Sequence, residues 1–155
     1  MDPRRSRPLL SAYADTSFLL ALYAREAHSA KAAAWLTART RIRSLPLTPF
    51  GRLELDNAVY GKIFRGELEA GQAQRLFARV GHDLSEGVLV HFSPGTAAHY
   101  REARRLAELH TARLGCRTLD ILHVAAAVCA GARDFLTLDP RQGALARAAG
   151  LRLAP

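Results

Sequence analysis

Short apolar runs alternate along the chain with longer stretches whose apolar residues recur at helical spacing. Ser11–Ala14 reads as a strand, followed by a helix over Phe18–Tyr23 for which Thr16 or Ser17 supplies the cap. A second helix fits His28–Ala38, with Ala32, Trp35 and Leu36 inward. Ile42–Thr48 is the next strand, weakened by Pro46. Pro49 suits the first turn of a helix to about Arg65, whose stripe is Leu55, Val59 and Ile63. Gly66 ends it, and Glu67–Leu84 forms the second arm of a helical hairpin that projects from the sheet. Val88–Phe92 is the clearest strand. Thr96 then caps a long helix to Leu114, and Thr118 caps an almost wholly apolar one, Leu119–Cys129. Phe135–Leu138 is a strand, Arg141–Ala149 a helix and Leu151–Leu153 an edge strand.

Strands alternating with helices imply βαβ units. The expected fold is α/β, with a central, mostly parallel sheet of four or five strands and helices on both faces. Residues 1–10 read as a mobile basic tail and 11–155 as a single domain.

Four acidic residues stand out against this pattern. Asp15 and Asp139 each close a strand, Asp120 opens the apolar helix, and Glu54 lies about one turn into its own helix. In a parallel sheet these positions fall on one edge, where active sites form. Like-charged pairs at about 4 Å and an effective dielectric near 20 repel by ~4 kcal/mol, so such a cluster calls for a multivalent cation or raised pKa values. Oxygen ligands of this kind suit Mg²⁺ or Mn²⁺ better than zinc, and the His residues are scattered. Each acid also has a plainer reading: a helix cap for Asp15 and Asp120, a solvated face for Glu54, a turn for Asp139. Asp134 lies just before the strand that Asp139 follows and is placed on the opposite edge.

Charge adds a partner. The 155 residues carry 22 basic against 14 acidic side chains, a net charge of +8, which favours a polyanion. Codon usage alone could also produce it, since all the basic residues but Lys31 and Lys62 are Arg. Arg101, Arg104 and Arg105 share a helical face and are candidate phosphate contacts, or simply a solvated surface. A hydrophobic content of 49% excludes general disorder. Cys116 and Cys129 fit no metal or redox spacing and read as reduced thiols of a cytoplasmic protein. Arg4, Arg5 and Arg7 before the apolar stretch Leu9–Ala24 imitate a secretory signal, but Asp15 interrupts that stretch. No segment is long and apolar enough to read as membrane-spanning.

Four segments, Tyr13–Leu20, Leu53–Leu55, Leu119–Ala127 and Leu136–Asp139, resemble in order and setting those of PIN-domain ribonucleases, in particular toxins of the VapC type. The resemblance spans about Tyr13 to Leu153 and implies a three-layer α/β/α PIN-like domain. It makes Asp15, Glu54, Asp120 and Asp139 the catalytic and metal-binding carboxylates of a Mg²⁺- or Mn²⁺-dependent ribonuclease. Thr16, Ser17, Thr137 and His123 become supporting residues around them. It further implies a cognate antitoxin protein and a homodimer. After Asp139 the chain departs from the family, with Pro140-Arg-Gln-Gly-Ala-Leu145 in place of the usual polar linker and aromatic. Two other readings remain: a non-catalytic RNA-binding or scaffold domain, and a phosphotransferase with Asp15 as nucleophile. The second lacks the usual Asp two residues on, where Ser17 stands.

Overall fold

A computed structural model describes residues 10–24, 27–39, 42 and 44–155. The expected tail lies outside them save for Leu10. The order is β1 (Ala12–Ala14), α1 (Thr16–Tyr23), α2 (Ser29–Thr37), β2 (Leu45–Leu47), α3 (Pro49–Phe64), α4 (Ala70–Ser85), β3 (Leu89–His91), α5 (Thr96–Leu114), α6 (Thr118–Ala130), β4 (Asp134–Leu136), α7 (Pro140–Ala148) and β5 (Arg152–Ala154).

All strand pairings are parallel. β4 lies between β1 and β5, with Tyr13 opposite Phe135 and Phe135 opposite Leu153. β2 pairs with β3, with Pro46 opposite Val90. β1 packs beside β2, so the spatial order is β3-β2-β1-β4-β5, but no hydrogen-bonded ladder joins the two pieces. The five expected strands are therefore present, in pieces of three and two. Pro46 explains the break. The backbones of Leu45 and Leu47 bond toward β3, so Pro46 between them faces β1 and has no N–H to donate.

Period-two alternation divides the core between the two faces of the sheet. Ala12, Ala14, Leu45, Leu47, Leu89 and Leu136 pack under α1 to α4. Tyr13 and Phe135, from the same strands, point the other way and stack at 5.7 Å beneath α5, α6 and α7. This is the three-layer α/β/α arrangement. Each strand is three residues long; β1 to β4 are shorter than expected, and β5 is shifted by one residue from Leu151–Leu153.

Three helix starts differ by one residue from the expected caps. Asp15 itself caps α1 by accepting from the Phe18 N–H, so Thr16 and Ser17 are already helical. Gly95 and Arg117, not Thr96 and Thr118, precede α5 and α6. At α6 the Asp120 carboxylate reaches back to the Arg117 N–H and extends the helix upstream.

The start of α3 is tightly built. Thr48 caps it by accepting from the Gly51 N–H at 3.0 Å. A methyl group at Gly51 would lie 2.8 Å from that hydroxyl and 3.5 Å from His123. Gly51→Ala is expected to displace the cap and lower stability by about 1–3 kcal/mol, read as a lower urea midpoint.

Candidate active site

Asp15 follows the last residue of β1 and is 1% exposed. Its Oδ1 accepts from the Ser17 hydroxyl at 2.7 Å and the Phe18 N–H at 2.9 Å, and its Oδ2 from the Thr137 hydroxyl at 2.5 Å. Ser17 also accepts from the Leu138 N–H, and Thr137 from the Asp139 N–H. The two hydroxyls thus tie the turn after β1 to the turn after β4. Burial raises the Asp15 pKa; the bonds from Thr137, Phe18 and Ser17 and the charge of His123 offset it only in part. Its hydrogen-bond partners are all neutral, leaving its negative charge largely uncompensated.

A second chain of contacts runs beside it. His123, on α6 and 2% exposed, receives Tyr13 Oη at 2.9 Å on Nδ1 and holds Glu54 Oε2 at 2.8 Å through Nε2. Thr16 Oγ1 lies 3.3 Å from the same Nε2. Burial raises the Tyr13 pKa far above its ordinary value, with the charges of Asp15 and Glu54 adding to it, so the phenol keeps its proton. Because the phenol keeps its proton, the bonds run in one direction: Tyr13 donates to Nδ1, and Nε2–H donates to Glu54. Burial raises the half-buried Glu54, but its bond to His123, the His123 charge and Thr16 outweigh that and lower its pKa overall. Glu54 is therefore ionised where Asp15 resists ionisation.

The other two acids stand at helix starts. Asp120 is three residues before His123 on the same face of α6, whose N-terminus lies on the edge where the strands end, because α6 runs back to begin β4. Among the described residues its Oδ2 accepts from the Arg117 N–H alone, at 3.3 Å. It is partly exposed, and neighbouring Leu119 is 49% exposed. Asp139 follows β4 and caps α7, its Oδ1 accepting from the Arg141 N–H at 2.8 Å. Asp134 sits opposite Ala12, at the far end of the strands, as expected.

All four acids thus share one edge, but they do not converge. Among the described residues no three His, Cys, Asp or Glu side chains are close enough to hold a metal ion as they stand. The donor chemistry still fits a hard cation: oxygen ligands around a buried, uncompensated carboxylate. Asp120 and Asp139 are held by single backbone N–H groups, which side-chain rotation would release.

A model of the PIN domain matches residues 12–150. The chain belongs to the PIN-domain family. Members of this family are typically metal-dependent nucleases, which makes nucleic acid the substrate class and a divalent metal the general cofactor. The crystal structure of PAE2754 from Pyrobaculum aerophilum is similar to this PIN domain, with a TM-score of 0.63 over 94% of this chain and 90% of that one, at 18% identity. No curated protein matches the sequence. No helix of the PIN domain is long and apolar enough to cross a membrane among the described residues.

Sequence reasoning missed two parts of this site: Tyr13, bonded to His123, and Phe50, whose ring lies 4.7 Å from that of His123. The usable signal was Tyr13: a tyrosine on an inner strand needs a partner for its hydroxyl, and His123 is the polar side chain on the helix covering that face.

Proposed function

We propose that this PIN domain is a metal-dependent ribonuclease that hydrolyses RNA phosphodiester bonds, and that it is the toxin of a toxin–antitoxin pair, restrained by a cognate antitoxin and assembled as a homodimer. The observation that carries the catalytic reading is the buried Asp15 carboxylate, surrounded by neutral donors on the edge it shares with Glu54, Asp120 and Asp139. Asp15 is the anchoring ligand, and the other three acids complete the set. Mg²⁺ or Mn²⁺ held by these carboxylates would offset charge on the phosphate and lower the pKa of a bound water. Ser17 and Thr137 fix the direction of the Asp15 oxygens, and His123 does the same for Glu54. The Arg-rich surface, with Arg101, Arg104 and Arg105 as candidates, holds the strand by its phosphates. The toxin role and its partners rest on the resemblance of the four motif segments to VapC-type toxins.

One observation favours a second reading, a non-catalytic RNA-binding or scaffold domain: the acids are spread rather than gathered. Incubation of the purified protein with total RNA in Mg²⁺ or Mn²⁺, with and without a chelator, separates the two. Cleavage that the chelator abolishes is the expected result. RNA that is bound but left intact in every condition would leave the scaffold reading standing. A parallel arm with single-stranded DNA tests the restriction to RNA.

A further inference from the structure

A line of rings leads out of the site. Phe50 lies 4.7 Å from His123, His99 5.7 Å from Phe50, and Tyr100 5.9 Å from His99. His99 is buried at 7% exposure and fixed in place by its Nε2–H, which donates to the Leu122 carbonyl at 2.8 Å. The line ends at Tyr100, which is 57% exposed and whose hydroxyl has no hydrogen-bond partner among the described residues. A large ring left in water at the end of a fixed row has an open side with nothing to cover it.

The surroundings of that ring are cationic. Arg101 is next to it and Arg104 lies one turn further along α5, both exposed. Neither has a carboxylate within ion-pair distance among the described residues. Arg105 differs: its guanidinium makes two bonds to Glu102, at 3.0 and 2.6 Å, and is committed. A shallow depression of about 440 Å³ is lined by Ala97, Tyr100, Arg101, Arg104, Arg105 and Glu108. Glu108 repels phosphate at one rim, which turns a polyanion toward the Arg101–Arg104 side.

We propose that Tyr100, with Arg101 and Arg104, forms a subsite for single-stranded RNA outside the catalytic edge, in which a base stacks on the exposed ring while the two guanidiniums hold its flanking phosphates. Exposed aromatics between cations bind unpaired strands in this way, because every base offers a face and every linkage a charge. This rests on the ribonuclease reading for its choice of ligand. A second copy of this chain is the competing occupant.

The test is fluorescence anisotropy of a labelled single-stranded RNA in chelator, which stops cleavage, together with steady-state cleavage in Mn²⁺. Tyr100→Ala is expected to weaken binding by about 5- to 100-fold, raising KM with little change in kcat, while Tyr100→Phe restores it. Arg104→Ala is expected to reduce the slope of log affinity against log salt by about one, and Tyr100→Ala to leave that slope alone. Inorganic polyphosphate should lose affinity with Arg104→Ala and not with Tyr100→Ala. Unchanged RNA affinity in Tyr100→Ala overturns the subsite even if the parent cuts RNA. A parent that binds RNA through Tyr100 but never cuts it overturns the ribonuclease reading and leaves the subsite. A Tyr100→Ala protein that becomes monomeric by sedimentation while binding RNA as the parent does assigns the surface to self-association and overturns the proposal.

Discussion

Replacing Asp15 with Asn is expected to reduce RNA cleavage by about a thousandfold or more while leaving a folded protein that is at least as stable as the parent at pH 7. The activity loss follows from charge. Electrostatic stabilisation by a bound metal is worth several kcal/mol in a transition state, and each 1.4 kcal/mol is a factor of ten. An amide keeps the shape of the carboxylate but not its attraction for a divalent ion. The stability follows from burial. The substituted amide would still accept from Ser17 and the Phe18 N–H through its oxygen, and the Thr137 hydroxyl would turn to accept from its nitrogen. Burial raises the Asp15 pKa above the ordinary aspartate value. As the pH climbs past that ordinary value, the unfolded chain therefore releases its proton first, and the native state loses stability relative to it. The penalty is absent in acid, where the carboxyl is protonated in both states. The Asn variant escapes it, so its advantage should be present at pH 7 and vanish once the pH falls below the ordinary aspartate value, about 4. Thermal melting across that range, in the presence of a chelator, measures it. A variant that cuts RNA as fast as the parent in Mg²⁺ or Mn²⁺ would remove Asp15 from the site.

His123→Leu is expected to cost roughly 1–3 kcal/mol of stability and to raise the Mn²⁺ concentration needed for cleavage by about 10- to 100-fold. The stability term comes from Tyr13, whose buried hydroxyl loses its acceptor. Glu54 contributes less, because its side chain is 33% exposed and water can replace the lost bond. The metal term comes from orientation. A carboxylate held by a fixed imidazole points one way, and the loss of such supporting bonds typically lowers metal affinity by about 10- to 100-fold. His123→Gln is the control, since its amide can donate to Glu54 and should recover part of the Mn²⁺ affinity. Urea midpoints and Mn²⁺ titrations of cleavage report the two terms separately. Equal Mn²⁺ requirements in His123→Leu and parent would show that the histidine only fills space.

The elements of this fold were legible wherever a local rule decides them. The end of α5 at Leu114 follows from Gly115, which adopts the left-handed conformation at φ 65°. Errors of one residue gather at helix starts, because a side chain three positions downstream can move a cap, as Asp120 does at Arg117. Asp15 was legible because it both ends a strand and begins a helix. The chain of bonds from Tyr13 through His123 to Glu54 was not. It joins residues 110 and 69 positions apart, and no local spacing encodes such a pairing. The apolar composition of α6 puts the helix in the core but does not place its first turn, where Thr118 and Leu119 are exposed.

Pro46 has a mechanical consequence. Because it silences the ladder between β1 and β2, the sheet is two plates laid edge to edge. One plate carries Asp15 and Asp139; the other leads into α3 and carries Glu54. One side-chain bond acts as a rivet across this seam, Glu54 to His123. Sliding of one plate against the other would alter the gap between the acids before it disturbed either plate's own strands.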